Sequence, residues 1–156
     1  SLKERFTKKE MSNARQKFWT SLGQYLAPIP GAGGEKINWI NYKTGIRNIS
    51  FKMDVTNDHA YIAIEISHKD PEIQQLYFDK LRTLKPQFDS ILDEDWIWER
   101  NAVSDEKKIS RIYKTQTSVN IFSENDWPGI ISFLKPRLLL LDKFWFENSD
   151  FIELHG

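Results

Sequence analysis

Near the N-terminus, apolar residues recur at helical spacing: Met11, Phe18, Leu22 and Tyr25, with Arg15 in the same stripe and Trp19 and Leu26 beside it. Thr7 and Glu10 precede this stripe in the spacing where hydroxyl and carboxylate each satisfy an otherwise orphan backbone N–H. The pattern predicts a helix from Lys8 to Leu26, stopped by Pro28-Ile29-Pro30-Gly31-Ala32-Gly33-Gly34, which reads as a flexible breaker and a mobile loop. The period then changes from helical spacing to two.

Ile37 to Tyr42 is a first strand signal, ended by Thr44-Gly45. Ile49, Phe51, Met53 and Val55 alternate with Ser50, Lys52 and Asp54, and beyond Asn57-Asp58 the residues Ile62, Ile64 and Ile66 alternate with Tyr61, Ala63 and Glu65. Alternation with one polar face predicts an antiparallel hairpin packed on one side. A two-residue turn at Asn57-Asp58 would set Met53 opposite Ile62, Phe51 opposite Ile64, Asp54 opposite Tyr61 and Ser50 opposite Glu65.

Asp70-Pro71-Glu72 has the order of a cap, a first-turn proline and an acidic first turn. Ile73, Tyr77, Leu81, Leu84, Phe88 and Ile91 continue as a helical stripe that crosses Pro86, where the helix is expected to kink or break. Trp96 to Glu99 and Ile109 to Thr115 predict another strand pair, joined by a polar loop from Asn101 to Lys108. A last helix begins near Asn125-Asp126, carries Trp127, Ile131, Leu134, Leu138, Leu141 and Trp145 on its stripe, and crosses Pro136. Leu-Lys-Pro occurs at 84–86 and again at 134–136, which reads as shared helix grammar, not a repeat. The predicted order is α-β-β-β-α-β-β-α: one α+β domain over residues 1–156, with a mostly antiparallel sheet and helices on one face.

Charge and composition narrow the function classes. Lys+Arg and Asp+Glu both number 22, so no overall field favours nucleic acid or anionic lipid. Without cysteine there is no disulfide framework and no thiolate metal site, and a cytoplasmic location is the expectation. The longest leucine run, Leu138 to Leu141, is far short of a membrane span. Nothing at the N-terminus reads as a signal peptide, and a start at Ser1 suggests trimming. Six tryptophans, five tyrosines and ten phenylalanines make aromatic packing, in a core or at an interface, the dominant theme.

Candidate chemistry is sparse. The glycines at 31, 33 and 34 follow a helix, the reverse of the strand-loop-helix order of a phosphate cradle. His59, His68 and His155 are too scattered for a metal motif. Asp54 and Ala63-Ile64-Glu65-Ile66-Ser67 partly resemble restriction-endonuclease-like nucleases. In that superfamily an Asp and a Glu-x-Lys element on adjacent strands hold a divalent metal such as magnesium. Ser67 stands at the lysine position, and Lys69 comes two residues late. The expected register also separates Asp54 from Glu65 by roughly 13 Å at about 3.4 Å per residue. Glu65 is therefore expected on the solvated face near Lys52, and no metal or other cofactor is expected.

Trp96, Trp98, Arg111 and Tyr113 form the other candidate. If Arg100 faced Ile109, then Trp98 would face Arg111 and Trp96 would face Tyr113, an aromatic-basic surface able to stack bases or grip a peptide. The competing reading, that the rings are core while Arg111 reaches outward, is preferred. Trp19, Trp127 and Trp145 read as core residues.

Several of these features together are similar to an uncharacterised bacterial family, domain of unknown function 4268. They are Lys17-Phe18-Trp19, the Asn57-Asp58 hairpin ending in Ile64-Glu65-Ile66, Tyr77-Phe78, Trp96-Ile97-Trp98 and Asp126-Trp127. The resemblance covers nearly the whole chain and rests on structural aromatics, so it brings no active site. It implies a small stand-alone protein or a companion of nuclease-like domains. The first expectation is a non-catalytic binding or accessory domain that works with a protein partner, a companion of nucleic-acid-processing proteins; a purely structural domain that self-associates through exposed aromatics is a further reading. The alternative is a degenerate metal-dependent nuclease using Asp54 and Glu65.

Overall fold

Thr7 opens α1 (Lys8–Leu26) with the reciprocal cap its sequence predicts: Thr7 Oγ1 accepts the Glu10 N–H at 3.1 Å and Glu10 Oε1 accepts the Thr7 N–H at 3.2 Å. The computed structural model describes residues 6–154, so His155 lies outside the described residues. After α1 come β1 (Ile49–Val55), β2 (His59–Ile66), α2 (Pro71–Thr83), α3 (Lys85–Leu92), β3 (Ile97–Ser104), β4 (Lys107–Thr117) and α4 (Trp127–Ile152). The class is the expected α+β, with one antiparallel sheet ordered β1-β2-β4-β3.

The order departs from expectation in one place. Residues 37–42 are not a strand. Asn38 Oδ1 accepts the Asn41 N–H at 3.3 Å, a local turn that competes with extended pairing. The segment instead anchors itself through its rings. Trp39 donates its indole N–H to the Ile29 carbonyl at 2.8 Å, and Tyr42 stacks on Phe51 with ring centroids 4.4 Å apart. Its apolar residues thus reach the core from a loop, and two strands, not the expected three, lie between α1 and α2.

The two prolines act differently. At Pro86 the predicted break occurs: α2 ends at Thr83, Leu84 leaves helical geometry, and α3 restarts with the proline in its first turn, where no N–H is required. Pro136 lies inside an unbroken α4, with Phe133 and Leu134 before it and Leu138 and Leu141 after it all buried. Identical Leu-Lys-Pro tripeptides therefore give a break and a continuous helix, and tertiary packing decides which.

Alternation sorts the sheet. The β1–β2 register is the predicted one, with Met53 opposite Ile62, Phe51 opposite Ile64 and Ser50 opposite Glu65. Every sheet side chain in the main core belongs to one alternating set, among them Ile49, Val55, Ile62, Ile64, Ile66 and Ile112. The helices supply the facing residues Phe18, Phe78, Phe88, Leu134, Leu138 and Phe144. Phe88 joins the layers through edge-to-face contacts with Trp96, Trp98 and Phe144 at centroid distances of 5.4, 5.5 and 5.2 Å. Trp127 and Trp145 are core residues as expected, each donating its indole N–H to a backbone carbonyl, of Ile121 and Thr44 respectively.

Candidate functional site

The second hairpin determines what lies on the open side of the sheet. The expected loop from Asn101 to Lys108 is mostly strand. Only Asp105 and Glu106 turn, at φ of 48° and 64°, the left-handed pair of a tight two-residue hairpin. Further along, β3 spends three steps between Glu99 and Ala102 while β4 spends two between Arg111 and Ile109. Asn101, at φ 54°, accommodates this bulge. Arg111 consequently faces Glu99 rather than Trp98, and Trp98 faces Ile112. That one-residue difference transfers Trp98 to the opposite face.

The proposed aromatic-basic surface is thus divided. Trp98 packs on Phe78 and Phe88 beneath the helices, and its indole N–H has no hydrogen-bond partner among the described residues. Trp96 lies before β3, buried against Phe88, with its N–H donated to Glu94 at 2.9 Å. Arg111 and Tyr113 share the open face with Tyr61, Glu65 and Glu99.

These five residues form one network. Arg111 Nε donates to Glu99 Oε1 at 2.7 Å and its NH1 donates to the Tyr61 hydroxyl at 3.3 Å. The Tyr61 hydroxyl donates in turn to Glu65 Oε2 at 2.9 Å. The guanidinium lies over the Tyr113 ring, 4.1 Å from its centroid, while Tyr61 and Tyr113 sit 5.6 Å apart. Burial pushes the Tyr61 phenol well above its ordinary pKa, and the negative charge of Glu65 adds to this against the opposing pull of Arg111. Burial would lower the Arg111 pKa, but its bonds to Tyr61 and Glu99 raise it and hold the guanidinium charged.

Glu65 departs from expectation. It is 8% exposed and bonded to Tyr61, not solvated beside Lys52. The cause is local crowding, since Tyr61 and Arg111 fold across it and exclude water with no helix above among the described residues. Asp54 does lie where the register put it, opposite Tyr61, four residues along the ladder from the position that faces Glu65. The structure does not bring those two carboxylates together, and no cluster of three candidate metal ligands occurs among the described residues. No helix there is long and apolar enough to cross a membrane.

A second polar centre was not anticipated. Asp142, in the apolar stripe of α4, is 5% exposed and accepts the Tyr42 hydroxyl at 2.5 Å and the Ala32 N–H at 2.7 Å. Burial, reinforced by the neighbouring Asp142 carboxylate, raises the Tyr42 pKa far above normal. The glycine segment is therefore pinned rather than a free loop, with Gly31 also donating its N–H to the Glu35 carbonyl at 2.8 Å. An acid within a leucine stripe was the available signal, because a buried carboxylate must find donors.

No curated protein and no solved structure matches the chain. A family model described as Domain of unknown function (DUF4268) matches residues 14–149. The structural aromatics that suggested this family fall within that span, and the chain belongs to it.

Proposed function

We propose that the domain is a non-catalytic binding module, an accessory that docks on a protein partner through the open face of its sheet. The observation that carries this reading is an ordered polar and aromatic surface with no helix over it among the described residues. On that face Tyr61, Ala63, Glu65, Ala102 and Ile109 are each less than 10% exposed, yet none belongs to the main core. Side chains locked in this way lose little conformational entropy on binding, which favours recognition. Ile97, 53% exposed on β3 opposite Tyr113, adds an apolar contact at the rim.

Charge favours protein over nucleic acid as the occupant. Across the middle of the face Lys52 and Arg111 stand against Asp54, Glu65 and Glu99, and Arg111 is already engaged with carboxylate and phenol. A polyanion would meet more repulsion than attraction there. A mixed-charge, Tyr- and Arg-containing patch matches the composition of protein interfaces.

The test is photocrosslinking from position 113, then titration of the purified captured protein. Ile97→Asp should weaken binding at least about tenfold with unchanged melting, and Tyr113→Ala should weaken it as much while also lowering the melting point, since Arg111 and Tyr61 lose the ring they pack on. Equal affinity for both variants would remove the open face as the docking site. Cleavage of DNA or RNA by the purified chain with magnesium, abolished by Asp54→Ala, would overturn the non-catalytic reading itself.

A further inference from the structure

Away from the middle of the open face, at the end of the sheet where β2 hands over to α2, the surface forms an open pocket of about 420 Å³. That volume suits a small ligand with room for more than a lone ion. Its lining includes Lys69 and His68 from the β2–α2 connection, Lys107 and Lys108 from the start of β4, Asn101 from the bulge, and Gln74 from α2. No acidic side chain lines it, and none of the three lysines pairs with a carboxylate among the described residues.

The two basic walls are fixed relative to each other. Gln74 is 3% exposed, and its Nε2 donates to the carbonyl of His68 at 3.1 Å and to that of Lys108 at 3.0 Å. Its Oε1 accepts the Ser110 hydroxyl at 2.8 Å. A single buried amide thus ties the segment carrying His68 and Lys69 to the strand carrying Lys108. On the far side Ser67 donates its N–H to the Asn48 carbonyl at 2.8 Å, holding the end of β2 in place.

The neighbouring acid is turned away from this task. Asp70 Oδ1 accepts the Glu72 N–H at 2.9 Å and so caps α2. The Asp70 N–H is donated to His68 Nδ1 at 3.0 Å, which makes Nδ1 the acceptor and leaves the ring proton of the neutral imidazole on Nε2. The pocket is therefore lined by three exposed lysines and an imidazole N–H, with no acidic side chain in its lining. Such a basic lining favours a multiply charged anion.

We infer that this pocket is an anion site for a small phosphate ester, such as a mononucleotide or a sugar phosphate, with the phosphate held by Lys69, Lys107, Lys108 and His68. The inference rests on a different surface from the protein-docking reading and stands or falls separately from it.

The experiment is a nitrogen-15 NMR titration of the full chain with adenosine monophosphate, with glucose phosphate and with inorganic phosphate, each to millimolar concentration. Saturable shifts confined to the amides of residues 67–69, 74, 101 and 107–108 are expected for the esters, with a rise in thermal midpoint. Lys69→Gln and Lys108→Gln should each weaken binding about tenfold, while Lys9→Gln on α1 leaves it unchanged. Saturation by inorganic phosphate as tight as by the esters supports the anion site and assigns it to free phosphate. Shifts spread over lysines across the surface, equal affinity in the variants, or a response only to a single-stranded oligonucleotide would overturn the proposal.

Discussion

The two faces of one sheet exclude water by different means. On the covered face Ile62, Ile64, Ile66 and Ile112 are fully buried because helices lie on them. On the open face Tyr61 and Glu65 are nearly as buried, but their cover comes from their own neighbours, Arg111 and Tyr113. The first kind of burial follows from hydrophobic area and is non-directional. The second depends on geometry, since each polar atom must meet its partner or carry a desolvation cost. The covered face should therefore dominate stability, and the open face should respond to the loss of single atoms.

The largest effect expected is on the covered side. Phe88→Ala removes a fully buried ring that contacts Trp96, Trp98 and Phe144, and a loss of about 3–5 kcal/mol is predicted. Trp145→Ala should fall in the same range of about 3–5 kcal/mol, because it removes both ring area and the bond to the Thr44 carbonyl. Denaturant titration checks both. A loss no larger than that of open-face variants would break the comparison.

A smaller effect lies at the rim of the covered side, where Glu94 receives both Arg137 Nε and NH2 at 2.8 Å and the Trp96 N–H at 2.9 Å. Burial would raise its pKa, but the Arg137 bonds and charge, the Trp96 N–H and Lys114 together lower it. With the folded value below the unfolded one, Glu94 contributes stability above the unfolded carboxylate range. That contribution is lost as pH falls through the depressed folded value. Glu94→Gln should cost about 2 kcal/mol at neutral pH, in line with bonds to charged groups, and less in acid. Melting curves across that pH range decide it. A variant whose deficit stays constant into acid would show that the carboxylate charge is not what matters.

How much was legible in the sequence follows the same division. Alternation of Ile49 to Val55 with Ile62 to Ile66 excluded every one-residue slip of the first hairpin, and the two-residue turn at Asn57-Asp58 selected its register. The second hairpin misled because its turn, Asp105-Glu106, lacks glycine and its bulge at Asn101 leaves no apolar signature. With Arg100 pointing to Asp79 and Gln75 on α2, simple alternation fails there. The burial of Glu65 was hidden for another reason: a polar residue on a polar face reads as solvated unless its long neighbours are seen to close over it. The lysine-lined pocket joins segments some forty residues apart in sequence, and periodicity carries no information about such a meeting.

On the open face, Tyr61→Phe deletes one oxygen and should cost about 1–2 kcal/mol, since buried Glu65 loses its donor and Arg111 an acceptor. The sharper form is a double-mutant cycle with Glu65→Gln, in which the cost of Tyr61→Phe should shrink once the carboxylate is neutral. Additive losses would mean that Glu65 is hydrated and that its burial is not sustained by Tyr61.

The smallest effect is expected at Asp54, half-buried on the same face and outside the network. Asp54→Asn should change stability by no more than about 0.5 kcal/mol, the range of surface substitutions away from special features. The same variant bears on chemistry. Asp54 faces Tyr61 while Glu65 faces Ser50, four residues farther along the ladder, and Glu65 already receives the Tyr61 hydroxyl. A metal bridging the two carboxylates would need ligand oxygens at about 2.0–2.6 Å from one ion, so the sheet would have to lose that bond and change register. DNA and RNA incubated with the protein and magnesium or manganese are therefore expected to stay intact. If cleavage appeared and both Asp54→Asn and Glu65→Gln abolished it, the open face would be a rearranging catalytic surface, and its contrast with the covered face would be one of function as well as packing.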